Sequence, residues 1–402
     1  MTVSVFINYI DRGNLSIAAP MLKDELGISA AQLGLLLSAF FWTYSAALLA
    51  SGWLVDHVPV KWVMAAGFFL WSGATVATGF LHGFAALLMI RLVLGIGESV
   101  AYPAYSSILA NHCPSSDRSF ANALVATGLA CGPAFGMLLG GTLMARFGWR
   151  SYFIGVGTFS MIWLLPWLRY APHGPGIAAA SCDPAPSTLA ILKQRASWGT
   201  FIGLFSNAYG LYYLIAWLPF YLVRERHFSM DTMARIGSGL FLAQAAASAI
   251  IGRTADVWIK AGAGRTKVYL TLLLSGQIVL GGCLFAVPLV RAFLLGPILL
   301  LTGFALGSAM ANIWPITQTL AGPHASGRWT GIQCFFGNLA GVLAGGLTGW
   351  IVQRTGHFFW AFGIAALLTV PGMSSWLFVV RRVEPVAWGL PQSRAAVQPE
   401  LS

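Results

Sequence analysis

Charge is scarce in this chain. Asp, Glu, Lys and Arg make up 9% of its 402 residues, while 57% are hydrophobic. Soluble domains carry about 25% charged residues, so a surface this poor in ions cannot be wetted, and the chain belongs in a bilayer. Acidic residues are rarer than basic ones, giving a net charge of +11. The positive charges are spread over short loops, without the basic run or aromatic motif that nucleic-acid binding needs, so nucleic acid is excluded as a partner. Cysteine is sparse and unpaired in pattern: Cys113, Cys131, Cys182, Cys283 and Cys334 are odd in number and show no C-x-x-C spacing. They read as small buried apolar side chains, which excludes a disulfide framework and a zinc or iron–sulfur site. Seven histidines lie mostly at segment ends with no H-E-x-x-H spacing. No G-x-S-x-G or P-loop pattern is present either, so no enzyme, metal or cofactor is expected. The N-terminus lacks a basic n-region, and no cleavable signal peptide is expected.

What the chain does have is long apolar runs. They fall at roughly 1–20, 32–55, 62–81, 84–109, 119–145 and 151–170, and again at 197–223, 233–256, 267–288, 292–320, 328–352 and 358–380. Each approaches the roughly 20 residues that a spanning helix requires. The expected fold is therefore an all-α integral membrane protein of twelve transmembrane helices in two related halves. Glycines at small-xxx-small spacing, Gly132–Gly136–Gly140 and Gly337–Gly341–Gly345, predict close helix packing. The Pro-, Ala-, Ser- and Gly-rich stretch GPGIAAASCDPAPS marks a flexible linker. This divides the chain into a first bundle (1–170), a linker (171–196), a second bundle (197–381) and a tail (382–402). Placing both termini in the cytoplasm puts thirteen Lys and Arg residues inside and eight outside, the bias that orients membrane proteins. The expected location is a cell membrane, in a bacterium the inner one.

The halves echo one another. GWLVD (Gly52–Asp56) ends the second span and GRTAD (Gly252–Asp256) the eighth, 200 residues later; Arg118 opens the fifth span and Arg328 the eleventh. Duplicated six-helix units are an architecture of secondary transporters, with the binding site at the midplane between halves.

Against this apolar background, Asp11 and Arg12 fall in the first span and Arg91 and Glu98 in the fourth. A charge at a helix centre costs roughly 2.5–3.5 kcal/mol even on lenient insertion scales. Four of them, two of each sign, are expected to line a polar cavity and pair with one another. Arg91 and Glu98 are seven residues apart and share a helix face. Arg91 keeps its proton and offers a planar fork suited to a carboxylate. A carboxyl in a dry cavity near arginine is held between desolvation, which favours the protonated form, and attraction, which favours the ionised one. That balance suits Glu98, and likewise Asp11, to carry protons.

NYIDRGNLSIAAP (Asn8–Pro20), SAFFWTYSAALLASGWLVD (Ser38–Asp56), RLVLGIGESVAYPA (Arg91–Ala104) and WLPFYL (Trp217–Leu222) together resemble the major facilitator superfamily. More narrowly, they resemble its anion:cation symporter family of sugar-acid and organic-anion carriers. The resemblance covers nearly the whole chain. It implies proton coupling at Asp11 and Glu98 and substrate carboxylate on Arg91, with Arg12 assisting or closing a gate. It also implies cavity positions at Tyr9, Tyr44 and Asn338, with Asn312 and Trp314 in the corresponding stretch of span ten, and gate charges at Asp56, Arg118, Asp256 and Arg328. Two departures stand out. His57 and Pro59 replace a basic residue and a glycine after span two, and Leu129 replaces a cavity amide in span five. The reading is a monomeric secondary transporter moving a small organic anion, a sugar acid among the candidates, with protons by alternating access. An uncoupled facilitator or exchanger, or a non-transporting sensor of the same fold, are the alternatives.

Overall fold

A lone glycine in the left-handed region is enough to turn one helix into the next, and this chain uses several. The computed structural model describes residues 1–112, 118–171 and 186–388. Described secondary structure is helical throughout, with no strand among the described residues. We number the spanning helices α1 (Thr2–Leu26), α2 (Ala30–His57), α3 (Val60–Thr78), α4 (Phe84–Leu109), α5 (118–147) and α6 (149–170). The second set is α7 (Arg195–Glu225), α8 (Met230–Lys260), α9 (Arg265–Ala286), α10 (292–321), α11 (Ala325–Thr355) and α12 (Phe359–Val380). Ten helical stretches are long and apolar enough to cross a bilayer. One of them, Thr127–Tyr170, turns at Gly148 (φ 78°) and makes two crossings. The twelfth is α1, whose Asn8, Asp11, Arg12 and Asn14 reduce its apolar character. Gly322 (φ 69°) likewise separates α10 from α11.

The expected spans reappear with shifted ends. α1 continues through Pro20 to Leu26, six residues beyond the expected boundary, so Asp11 and Arg12 stand near the middle of a 25-residue helix. Pro20 lies inside the helix and offers no N–H to Ser16 O, while Pro20 O accepts from Arg224 Nη2 at 2.8 Å. Apolar side chains such as Phe69, Phe159, Phe293 and Trp360 are exposed on the outside, as a lipid-facing surface requires. The repeat extends to local chemistry. Ser29 caps α2 and Ser229 caps α8, each accepting from the backbone N–H three residues on at 3.2 Å. Gly27 (φ 61°) and His227 (φ 57°) take the same left-handed turn two residues before each cap.

The glycine ladders do pack helices closely, but not in the same way. In α5 the ladder faces α1: a Cβ on Gly132 would stand 2.5 Å from Tyr9 Cβ, and one on Gly136 3.2 Å from Ile10 Cα. In α11 the ladder crosses to the other bundle, where Gly341 lies under the Phe41 ring and Gly345 against Ser38 of α2. A second crossing joins α5 to α8, where Gly141 meets Ala234 and Gly237 meets Met137.

These contacts gather at the end that carries the α1–α2 turn. There a hydrophobic core runs through both bundles, from Leu33 and Leu36 of α2 to Trp217 and Phe241 of α7 and α8. Polar ties reinforce it: Asp24 with Arg224, and Ala30 N–H donating to Gln353 Oε1 at 3.1 Å. At the opposite end the core is divided. Phe68, Trp71 and Tyr105 belong to a cluster of the first bundle, and Phe201, Leu320 and Trp329 to another of the second. Residues 381–388 strap across that end of the second bundle. Val383 N–H donates to Thr266 Oγ1, Val386 N–H to Leu320 O and Trp388 Nε1 to Ala321 O, each at 2.9 Å. The strap thereby satisfies carbonyls left open where α10 ends.

Candidate functional site

Two glycines seat the charged stretch of α4. A Cβ on Gly95 would stand 2.4 Å from Phe40 O of α2, and one on Gly97 would stand 2.8 Å from Trp71 N of α3. Thr43 Oγ1 of α2 ties the same turn by donating to Leu92 O at 2.7 Å. Pro103 has no N–H for Ser99 O and its ring crowds that carbonyl, so α4 loosens at Ser99–Val100, directly after Glu98. Ser99 and Ser51 hydroxyls bond each other there at 2.7 Å.

The four charges are all buried, as their position required, and one oppositely charged pair forms across helices. Glu98 accepts from Arg12 Nε at 2.9 Å, across from α1, rather than pairing with Arg91 on its own helix. At two helical turns of separation the Arg91 fork is about 10 Å along the axis, beyond direct contact through the backbone register. Arg12 is wrapped in rings: its guanidinium carbon lies 4.5 Å from the Tyr44 centroid, 4.8 Å from Tyr9 and 5.2 Å from Phe40. Such cation–π contacts replace part of the lost hydration. The Arg91 guanidinium carbon lies 5.3 Å from the Phe40 centroid. Several strong hydrogen-bonding atoms here have no protein partner: Arg12 Nη2, Arg91 Nε, Glu98 Oε1 and Asn8 Nδ2. Buried polar groups are almost always satisfied, so this cluster of open ones singles the place out as the candidate site.

Arg12 and Arg91 face a cavity between the bundles, and Ser16, Leu37, Phe40 and Phe41 line it from the first bundle. Tyr212, Ile215 and Ala216 of α7 close it from the second. Its volume is ≈ 20 Å³, room for about one water molecule. The wall carries the repeat: Arg12 and Tyr212 are 200 residues apart, as are Ser16 and Ala216.

Asp11 is turned away from this cavity. Its Oδ1 accepts from Asn14 Nδ2 at 3.0 Å, and Asn14 Oδ1 in turn accepts from Tyr152 OH of α6 at 2.9 Å. Asp11 Oδ2 has no partner. Tyr9 and Tyr44 back Arg12, and Tyr9 OH lies 3.1 Å from Tyr102 OH. Asn338 accepts from Tyr212 OH at 2.9 Å and donates to Cys334 O, which places it one bond behind the wall. Asn312 donates to Ser308 O of its own helix, with Oδ1 unpartnered, and Trp314 packs on the second bundle's own core. Neither lines the cavity in this conformation. Among the gate residues, the side chains of Asp56 and Arg118 lie outside the described residues. Asp256 is exposed beside Lys260 and Arg265, and Arg328 donates to Pro186 O in the linker.

Sequence reasoning singled out the charges but missed the apolar wall of Leu37, Phe40, Phe41, Ile215 and Ala216. The aromatic pair in SAFFWTY was the available signal: Phe40 lies against both arginines and Phe41 lines the cavity beside it. The Asn14–Tyr152 relay behind Asp11 was also missed.

A polytopic helical bundle pair with paired and unpaired charges at its centre is the build of a membrane carrier. Comparison makes the class specific: the description Major Facilitator Superfamily matches residues 1–345, and the chain belongs to that family. A hexuronate transporter of Bacillus subtilis (strain 168) is 29% identical over 98% of this chain and 95% of its own length. A probable sulfoacetate transporter of Cupriavidus necator is 28% identical over 94% of this chain and 92% of its own. Among solved structures, a bacterial homolog of the human lysosomal transporter Spinster, in an inward-facing and occupied conformation, superposes with a TM-score of 0.76. It covers 95% of this chain and 93% of its own at 18% identity, a likeness of fold.

Proposed function

We propose that this protein is a proton-coupled carrier of a small organic carboxylate that works by alternating access. One observation carries the reading: two arginines with open N–H groups face a cavity between the bundles. The relatives named for hexuronate and sulfoacetate, both acids, support the anion class. The substrate carboxylate docks on Arg91, with Arg12 Nη2 as the second donor, since paired guanidinium forks suit carboxylate geometry. The buried set of Arg12, Arg91, Asp11 and Glu98 is neutral when all four are ionised. An entering anion leaves one uncompensated negative charge, which a bilayer interior penalises by roughly 2.5–3.5 kcal/mol. A proton taken by Glu98 or Asp11 removes that charge. Glu98 is better placed, because substrate competes with it for Arg12; Asp11 acts through Asn14 and Tyr152.

Residues 1–170 and 197–381 are the two rocking units, joined by 171–196 and followed by the 382–402 tail. With the termini cytoplasmic in a bacterial inner membrane, the shared core closes the outer end and the divided cores lie inside. Asp56, Arg118, Asp256 and Arg328 serve as inner gate charges, and the carrier works as a monomer. Catalysis has no part in the cycle.

The test is uptake of labelled monocarboxylates into proteoliposomes under an imposed inward proton gradient, with Arg91→Ala alongside. Gradient-dependent uptake that the variant loses is the expected result. Exchange without any gradient effect would make the protein an uncoupled exchanger, and ligand binding without flux would make it a sensor.

A further inference from the structure

We infer that the substrate is a carboxylate with an apolar, planar body, an arene carboxylate being the best fit, rather than a polyhydroxylated acid. The inference rests on the carboxylate reading above and concerns the rest of the molecule that the carboxylate brings with it. Apart from the arginines and Ser16, the cavity is lined by Leu37, Phe40 and Phe41 from the first bundle and by Tyr212, Ile215 and Ala216 from the second. The two neutral polar groups on this wall have their donors committed. Ser16 Oγ donates to Gly13 O at 2.8 Å, and Tyr212 OH donates to Asn338 Oδ1, whose own amide is bound to Cys334 O. A hexuronate would bring several hydroxyls to a lining whose two neutral hydroxyl donors, on Ser16 and Tyr212, are already committed. Each hydroxyl would lose its water without a replacement.

The rings are arranged for a flat guest. Phe40 and Phe41 stand edge to face with centroids 5.1 Å apart, and Phe41 lies 4.6 Å from the Tyr212 ring of the other bundle. Gly341 of α11 sits directly beneath Phe41, where a Cβ would stand 2.6 Å from the ring. A ring entering between Phe41 and Tyr212 as the bundles part would exchange one aromatic contact for two. Its carboxylate would then point to Arg91 and to Arg12 Nη2. Phe41, Tyr212 and Ile215 are thus the specificity-determining residues, while the arginines select only for charge.

The test is calorimetric titration of the purified full-length protein with benzoate and with D-glucuronate, each repeated on Arg91→Ala and on Ile215→Asn. A melting curve for every variant checks that it is folded. We expect benzoate to bind at least about tenfold tighter than glucuronate, a discrimination within reach of an apolar pocket. Arg91→Ala should abolish binding of both, and Ile215→Asn should weaken benzoate and strengthen glucuronate. Tighter binding of glucuronate to the wild type would overturn the substrate class and leave the carboxylate reading standing. Equal changes for both ligands in Ile215→Asn would remove the wall as the source of selectivity. Binding of neither acid, together with no gradient-driven uptake of any monocarboxylate, would sink both readings.

Discussion

Gly349 of α11 offers a way to push the two bundles apart at one end without touching the charged site. A Cβ there would stand 2.6 Å from Ala30 O and 2.9 Å from Gly34 Cα of α2, where ordinary contact needs about 3.5–4.0 Å. Relief requires α2 and α11 to separate by about 1 Å. Overpacking of this kind costs about 1–3 kcal/mol. Because the clash exists only while this end is closed, nearly all of the cost falls on one side of the conformational equilibrium. The population with this end open should therefore rise about 5–150-fold. Ser38 reports it: its side chain is buried against the Gly345 backbone of the same seam. With the five native cysteines replaced, Ser38→Cys should react slowly with a membrane-impermeant maleimide, and Gly349→Ala should speed that reaction by the same factor. Gly363→Ala in α12, where a Cβ meets nothing within 4 Å, should leave it unchanged. An unaltered rate in Gly349→Ala, or an equal gain in both variants, would refute the claim that this seam is the closed gate.

Glu98→Gln keeps an acceptor for Arg12 Nε but removes its countercharge. Breaking a buried pair costs up to about 3–5 kcal/mol, so melting in detergent should fall while exchange of substrate persists and proton-driven accumulation is lost; intact accumulation would end the coupling role of Glu98. Trp388→Ala removes the donor to Ala321 O and should cost about 1–3 kcal/mol, seen as a lower melting midpoint. The maleimide rate at Ser38 should not change, because the strap lies at the opposite end.

Much of the architecture was legible because a bilayer leaves few solutions: apolar runs must be helices, and their number, duplication and breaks can be counted. The burial of Asp11, Arg12, Arg91 and Glu98 followed from the same constraint. Their pairing did not, since it depends on how α1 and α4 rotate against each other. That rotation is set by Gly95 and Gly97 packing on α2 and α3, a tertiary match with no one-dimensional signature. The α11 ladder shows the same limit. Gly341 and Gly345 announced close packing, but whether within a bundle or across the seam was decided by Phe41 and Ser38, some 300 residues away. Asn338, expected to face the substrate, lies one hydrogen bond behind the cavity wall, on Tyr212, which the repeat sets opposite Arg12.

That opposition has a consequence for the transport cycle. The repeat puts Tyr212 where the first bundle has Arg12, Leu211 where it has Asp11, and Ala216 where it has Ser16. All the ionised groups at the site therefore belong to one bundle, and the facing wall is neutral. On the proposed reading, an anion held by Arg12 and Arg91 would have no charge drawing it to the second bundle and would stay with the first through the rocking motion. Closure must then be driven by what the neutral wall can offer, which is contact between the substrate's body and Tyr212, Ile215 and Ala216. A bare anion too small to reach that wall would bind the arginines without favouring closure. On that reading, binding and translocation would be separated on the two bundles, charge governing the first and body shape the second.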